Sequence, residues 1–314
     1  MQKNRNQPKF PEHCKTSYTE DSFEFMIFSQ NKIRQYNKNT SNKRKQFNII
    51  LTSIIVVLCL VIVYEGYSII KYYYDLFNNE TIARTASTVV DEHFLADFRN
   101  MHAQDGASED MFDDLGVPQM GAIYNLHTVE ALQIQFQTLD ILAYISIEGT
   151  NIAYPVVQSL DNNYYLRRDV YGKSSAAGSL FLDYRNSDAI TDKNSIIYGH
   201  NMKNGSMFHN LNYYEKANYM REHKYIVTIE YSTCSLWEVA VFFQTDTTFN
   251  YMRSAFDNDD DFLHFVDEIN SRRLYDSGTE ITASDQLLTL STCAEDNNYR
   301  SVVVAKLVER RVID

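Results

Sequence analysis

Leu287-Leu288-Thr289-Leu290-Ser291-Thr292-Cys293 decides the reading of this chain, together with Arg300 and the run Ser301-Val302-Val303-Val304-Ala305-Lys306-Leu307 behind it. An apolar strand ends on a cysteine, a short polar loop follows, and an arginine opens the next apolar strand. A guanidinium near a thiol lowers the cost of the thiolate and can hold an anionic intermediate, so the arrangement suits acyl transfer. The same residues also fit a plain hairpin with a buried cysteine and a surface arginine.

Acyl transfer of this kind needs a proton carrier, and among the eight histidines one has a matching context. Asn194-Ser195-Ile196-Ile197-Tyr198-Gly199-His200-Asn201 is again an apolar strand running into a polar turn. Partners in catalysis need to be near in space rather than in sequence. His13 lies in a polar tail. His93, His102, His209, His223 and His264 lie in polar or helical-looking stretches, and His127 precedes a helical pattern. All seven read as ordinary surface or core histidines.

Outward from these two strands the texture is short strands and turns. Ala143–Ile147, Ile152–Pro155, Ser179–Leu182, Ser195–Tyr198, Tyr225–Glu230, Leu236–Phe243, Gln286–Ser291 and Ser301–Val308 read as strands. Strands at this spacing predict a sandwich or barrel. An aromatic content of 13 %, mostly Tyr, suits such a β-rich fold. Asp259-Asp260-Asp261 opens a helix over Phe262–Ile269, since acidic residues favour a helix N-terminus. That run lacks the glycine and terminal glutamate of a calcium loop. Val129, Leu132, Phe136 and Leu139 give a helical period over Thr128–Leu142. No zinc spacing, phosphate-binding glycine loop or internal repeat occurs.

The formal net charge of −12 conceals a division. Residues 1–46 hold ten Lys/Arg and four Asp/Glu, whereas residues 65–314 hold 19 and 37. Between them Phe47–Tyr64 has no charged residue, and apolar character resumes from Glu65 to Ile70. About 20 apolar residues cross a bilayer, and Lys43-Arg44-Lys45 before the segment keeps the N-terminus cytoplasmic. With no small-residue cleavage site behind it, the segment reads as an uncleaved signal anchor. The boundaries expected are a cytoplasmic polar tail at 1–46, a transmembrane anchor at 47–70, a helical stalk and N-terminal helices at 71–140, and a catalytic β-barrel at 141–314. Within these, 67–100 reads as the stalk, 101–118 as a loop, and Phe23–Phe28 as an apolar island in the tail.

The four cysteines fit that topology. Cys14 falls on the cytoplasmic side and Cys59 in the span, so Cys234 and Cys293 remain outside. Two cysteines make no disulfide framework. Ser232-Thr233-Cys234 repeats the local Ser-Thr-Cys, but it precedes its strand and no arginine follows at short range. Cys234 therefore reads as a hairpin-turn or strand-edge residue.

Taken together these blocks resemble the sortases, membrane-anchored cysteine transpeptidases of Gram-positive bacteria, and among them class B. The resemblance rests on Tyr198-Gly199-His200-Asn201, Thr289-Leu290-Ser291-Thr292-Cys293 and Arg300 before Val302-Val303-Val304-Ala305-Lys306. It also rests on Ile152–Gln158, Asp161–Leu166 and Gly178–Asn186, in family order from about residue 120 onward. It implies a closed, mainly β sortase-like barrel with flanking helices behind one transmembrane helix. It implies Cys293 as nucleophile, His200 as general acid and then base, and Arg300 as oxyanion holder. Asn162, Leu166, Tyr198, Tyr251, Ser291 and Thr292 would line the peptide groove. Asp183 is a candidate to orient His200, though a structural role weighs more. The loop from Cys293 to Arg300 is shorter than in some class B members. Ala294, followed by Glu295, stands where some of them carry an acid.

The partners implied are surface proteins with a C-terminal sorting signal (Asn-Pro-any-Thr-any, or Leu/Ser-Pro-any-Thr-Gly), a peptidoglycan precursor or cross-bridge amine, and membrane lipid around the anchor. No cofactor, metal or nucleic acid is implied. Two other classes compete: a papain-like cysteine hydrolase, which needs its cysteine on a helix, and a non-catalytic membrane-tethered binding barrel.

Overall fold

The computed structural model describes residues 20–90, 128–187, 189–246, 248–293 and 299–312. The readings of residues 1–19, of the 101–118 loop, and of Ala294 and Glu295 fall outside them. The chain divides into two compact units at Ile69/Ile70. In the first, the helix α1 (Glu20–Val89) begins and carries the uncharged run Phe47–Tyr64 with its apolar side chains exposed. Eighteen residues at 1.5 Å each give about 27 Å, close to the thickness of a bilayer's hydrocarbon core.

The second unit holds the remainder of α1 and a closed barrel. Asp75, Asn79, Ile82 and Ala86 recur at helical spacing and are all buried. The Asp75 carboxylate accepts the Ala176 N–H at 3.0 Å, and Asn78 Nδ2 donates to Asp169 at 3.0 Å. The part of α1 expected to be a stalk thus packs one face against the domain that follows. Helix α2 (Thr128–Phe136) buries Val129, Leu132 and Phe136. It stops short of Leu142: Gln137 takes a left-handed φ of 54° and Ile141 already starts a strand. Leu139, whose spacing extended the predicted helix, is 80 % exposed.

The strands are β1 (Ile141–Ile147), β2 (Ala153–Val157), β3 (Leu180–Leu182), β4 (Asn194–His200), β5 (Tyr225–Ile229), β6 (Thr233–Thr245), β7 (Leu287–Cys293) and β8 (Arg300–Val312). They close in the order β1-β2-β3-β4-β7-β8-β6-β5. Closure leaves no sheet edge open, which explains why strands as short as β3 survive. Helix α3 (Ala217–Glu222) lies in the β4-to-β5 connection and α4 (Asp259–Asn270) in the β6-to-β7 connection. In α4 Asn258 caps the N-terminus by accepting the Asp261 N–H at 2.9 Å, and Phe262, Phe265, Val266 and Ile269 face the core. The three aspartates therefore open a helix, as their position predicts.

Trp237, Phe208, Tyr214, Phe242 and Leu290 are fully buried in the largest core cluster. Burying such side chains contributes roughly 1.5–3 kcal/mol each. The sequence reading of Cys234 is corrected here. It is the second residue of β6, paired with Ile229 and fully buried, because the strand begins three residues before Leu236.

Candidate active site

The site forms where β4 and β7 run parallel at the middle of the barrel order. Their register pairs Ile197 with Leu290, Tyr198 with Ser291, Gly199 with Thr292 and His200 with Cys293. Parallel strands cannot be joined by a hairpin. The connection from Asn201 to Gln286, with two strands, two α-helices and a 3-10 helix among its described residues, brings His200 beside a cysteine 93 positions later in sequence. Gly199 is required beneath this point. A Cβ there would stand 2.3 Å from Leu180 Cδ2 and 2.8 Å from the Phe208 ring. Phe208 N–H in turn donates to the His200 carbonyl at 2.9 Å.

Arg300 is the first residue of β8 and pairs with Thr245. Its neighbour Ser301 ties the strand back to β7. The Ser301 N–H donates to Thr292 Oγ1 at 3.0 Å, and Ser301 Oγ donates to Asn212 Oδ1 at 2.8 Å. The end of β7 and the start of β8 are thus joined directly, across the residues between Cys293 and Arg300.

His200 is buried to 7 % exposure, and its Nε2 lies 2.7 Å from the Leu166 carbonyl oxygen. Leu166 sits in a single 3-10 turn, Tyr165–Arg167, within the β2-to-β3 connection.

The residues expected to line a groove cluster around these groups, but most of their polar atoms are engaged inside the protein. Tyr251 and Ser291 are buried and share a hydroxyl–hydroxyl bond of 2.8 Å. Thr292 is buried and accepts from Ser301. Tyr198 is buried and its hydroxyl donates to Asp183 at 2.8 Å. Asn162 is half-buried: its Nδ2 donates to Asp183 at 3.1 Å and its Oδ1 accepts the Tyr184 N–H at 3.0 Å. Leu166 is half-buried against the core.

Asp183 is the hub of this set. Its side chain is fully buried and accepts from Arg185 Nε at 2.8 Å and Nη2 at 2.7 Å, as well as from Asn162 and Tyr198. Burial pushes its carboxyl up, but the hydrogen bonds from Arg185, Tyr198 and Asn162 outweigh this and hold it below the usual carboxylate range. Burial, reinforced by the Asp183 charge, pushes the Tyr198 phenol far up, so it remains a donor. The carboxylate therefore ties Asn162, Arg185 and Tyr198 to one point. Its bonds go to these neighbours rather than to His200.

Sequence reasoning missed the Ser301–Thr292 tie, Asn212, Arg185 and the Leu166 carbonyl. A main-chain carbonyl leaves no mark in residue type. Arg185 stood in a quoted block, but only the fold shows that it faces Asp183.

A cysteine and a histidine in register at the ends of parallel barrel strands, with an arginine opening the next strand, form an arrangement suited to cysteine acyl transfer. A family model of the sortase domain matches residues 145–308, which include Cys293, His200 and Arg300. Sortase B of Listeria monocytogenes is 36 % identical over 187 residues, covering 58 % of this chain and 75 % of that protein. The Staphylococcus aureus sortase B–substrate complex superposes with a TM-score of 0.56 at 32 % identity, covering 59 % of this chain and 86 % of that one. A sortase B complexed with triglycine gives 0.55 at 33 % identity, covering 58 % and 86 %. The chain belongs to the sortase family, and within it to class B. It is a sortase-type cysteine transpeptidase, of the kind that anchors surface proteins.

Proposed function

We propose that Cys293 is the nucleophile, His200 the proton carrier and Arg300 the oxyanion holder. The observation that carries this is the register: His200 and Cys293 are direct partners on adjacent parallel strands, and Arg300 opens the strand bonded to β7. The Cys293 thiolate adds to the scissile carbonyl carbon of a sorting signal. The resulting oxyanion takes hydrogen bonds from the Arg300 guanidinium, whose planar fork suits it. Collapse breaks the C–N bond, and the leaving amine takes a proton from His200. The thioester that remains is attacked by an incoming amine, which returns its proton to His200. The C–S bond breaks and the thiolate is regenerated.

Asn162 and Leu166, both half-buried, would touch the peptide directly. Tyr198, Tyr251, Ser291 and Thr292 would shape the wall behind them. The substrate and triglycine complexes of related sortase B proteins support an extended peptide and an acceptor amine as the two partners. We assign residues 1–46 to the cytoplasm, 47–70 to the membrane, 71–140 to the segment leading from it and 141–314 to an extracellular catalytic domain in a Gram-positive cell. Tethering enzyme and substrates to one membrane raises their effective concentration. The papain-like alternative loses ground because the cysteine ends a strand, β7.

Mass spectrometry of a quenched reaction with a sorting-signal peptide tests the reading. An acyl adduct on Cys293 is expected, discharged by a labelled amine. Cys293→Ala should abolish both, and Cys234→Ala should retain most activity. Cleavage with neither a cysteine adduct nor amine incorporation would sink the transpeptidase mechanism.

A further inference from the structure

Three successive carbonyls in the turn around Leu166 point to separate partners. The Tyr165 carbonyl accepts the Ser179 N–H at 3.0 Å, and the Arg167 carbonyl accepts the Ser175 N–H at 3.0 Å. Between them the Leu166 carbonyl stands 2.7 Å from His200 Nε2. The outer two bonds pin the turn to the segment that enters β3, and the middle carbonyl faces the imidazole. Gly178 packs against this turn with a φ of +58°. A Cβ there would lie 2.5 Å from the Leu166 oxygen and 2.9 Å from its carbon. Nothing larger than hydrogen fits behind that carbonyl. Four residues before Leu166 in the chain, Asn162 is held by bonds both to Asp183 and to the Tyr184 N–H.

We propose that the main-chain carbonyl of Leu166 is the group that orients His200, and that Gly178 and the Asp183–Asn162 pair are the positioning residues that fix it. The proposal rests on His200 being the proton carrier. A carbonyl oxygen only accepts, so the short contact requires a hydrogen on Nε2. Nε2 keeps that proton throughout the cycle. Nδ1 is then the nitrogen that gives a proton to the leaving amine and takes one from the incoming amine. In a serine-protease triad a carboxylate selects the tautomer and steadies the imidazolium. Here a neutral carbonyl selects the tautomer, and the buried carboxylate Asp183 acts through Asn162 without touching the ring.

The test uses the full-length chain in detergent, with 15N-labelled histidine rings, at a pH where the His200 ring is neutral. The His200 signals are identified by their loss in His200→Ala. The expected wild-type spectrum has a pyrrole-type Nε2 and a pyridine-type Nδ1. Asn162→Ala should mix the tautomers and lower kcat, whatever lost peptide contact adds to KM, while Asn163→Ala, on an exposed neighbour, should neither mix the tautomers nor lower kcat. Gly178→Ala should do the same more strongly, by about 10²-fold in kcat, the typical cost of a misplaced catalytic group. If Gly178→Ala does not fold, Asn162→Ala decides alone. A wild-type Nδ1–H tautomer would overturn the proposal. So would an Asn162→Ala variant that raises KM with tautomer and kcat unchanged, since Asn162 would then only touch substrate. If His200→Ala itself keeps the full rate, the fault lies with the catalytic assignment and not with the carbonyl.

Discussion

Through its hydroxyl, Thr292 joins the two strands that carry the proposed nucleophile and oxyanion holder. Its neighbour in sequence is the proposed nucleophile, and its Oγ1 accepts the N–H of Ser301, the neighbour of the proposed oxyanion holder. Both residues are buried, at 2 % and 5 % exposure, so water cannot replace the bond. Thr292→Val keeps the shape and removes the acceptor. It should cost about 1–3 kcal/mol, the usual penalty for stranding a buried donor. It should also lower kcat, because Arg300 is then held less firmly beside β7. Thr292→Ser should restore most of both. Thermal melts and steady-state kinetics on the three proteins check this. A Thr292→Val protein with normal kcat and a raised KM would point instead to direct peptide contact.

Among the elements, the β5–β6 hairpin contains a strained charge. Glu230, just after β5, is buried among Thr228, Thr233 and Ser235, and Thr228 in turn accepts from Trp237 Nε1 at 2.9 Å. Burial raises its carboxyl above the ordinary value of 4.5, despite the hydroxyls and the nearby Arg310. A carboxyl raised in the folded state favours folding most at pH below 4.5, and that contribution fades as pH climbs through the folded value. Glu230→Gln is neutral at every pH. Its melting temperature relative to wild type should therefore rise from about pH 4 to about pH 8, and a constant difference across that range would refute the assignment. This hairpin also marks the limit of the sequence reading. All eight strands among the described residues were legible because each holds a short run of β-branched and apolar residues between turn residues. The ends were not. Thr233, Cys234 and Ser235 carry no apolar signal, yet they extend β6 because β8 offers paired backbone as far as Val312. In the same way the period through Leu139 overran α2, whose end is set by a left-handed Gln137. At the site, Cys293, His200 and Arg300 stood out because each sits where an apolar strand meets a polar turn. Leu166 was quoted for its side chain, whereas its carbonyl faces His200.

For the whole molecule, the four cysteines give four positions from which topology can be read with one reagent. Cys14 precedes the uncharged run, Cys59 lies within it, Cys234 is sealed in the barrel core, and Cys293 ends β7. Lys43, Arg44 and Lys45, one residue short of Phe47, bias that end toward the cytoplasm. A membrane-impermeant thiol reagent added to intact, wall-stripped cells should therefore label the protein, and Cys293→Ala should remove the label. Cys14 should react only after the membrane is opened. Cys234 should react only after denaturation, since a fully buried thiol meets no reagent. Replacing Lys43, Arg44 and Lys45 with Gln should let a fraction of chains insert the other way, so that Cys14 is labelled in intact cells. Labelling of Cys14 in the unaltered protein before permeabilisation would reverse the assigned orientation and place the catalytic domain on the wrong side of the membrane for its proposed substrates.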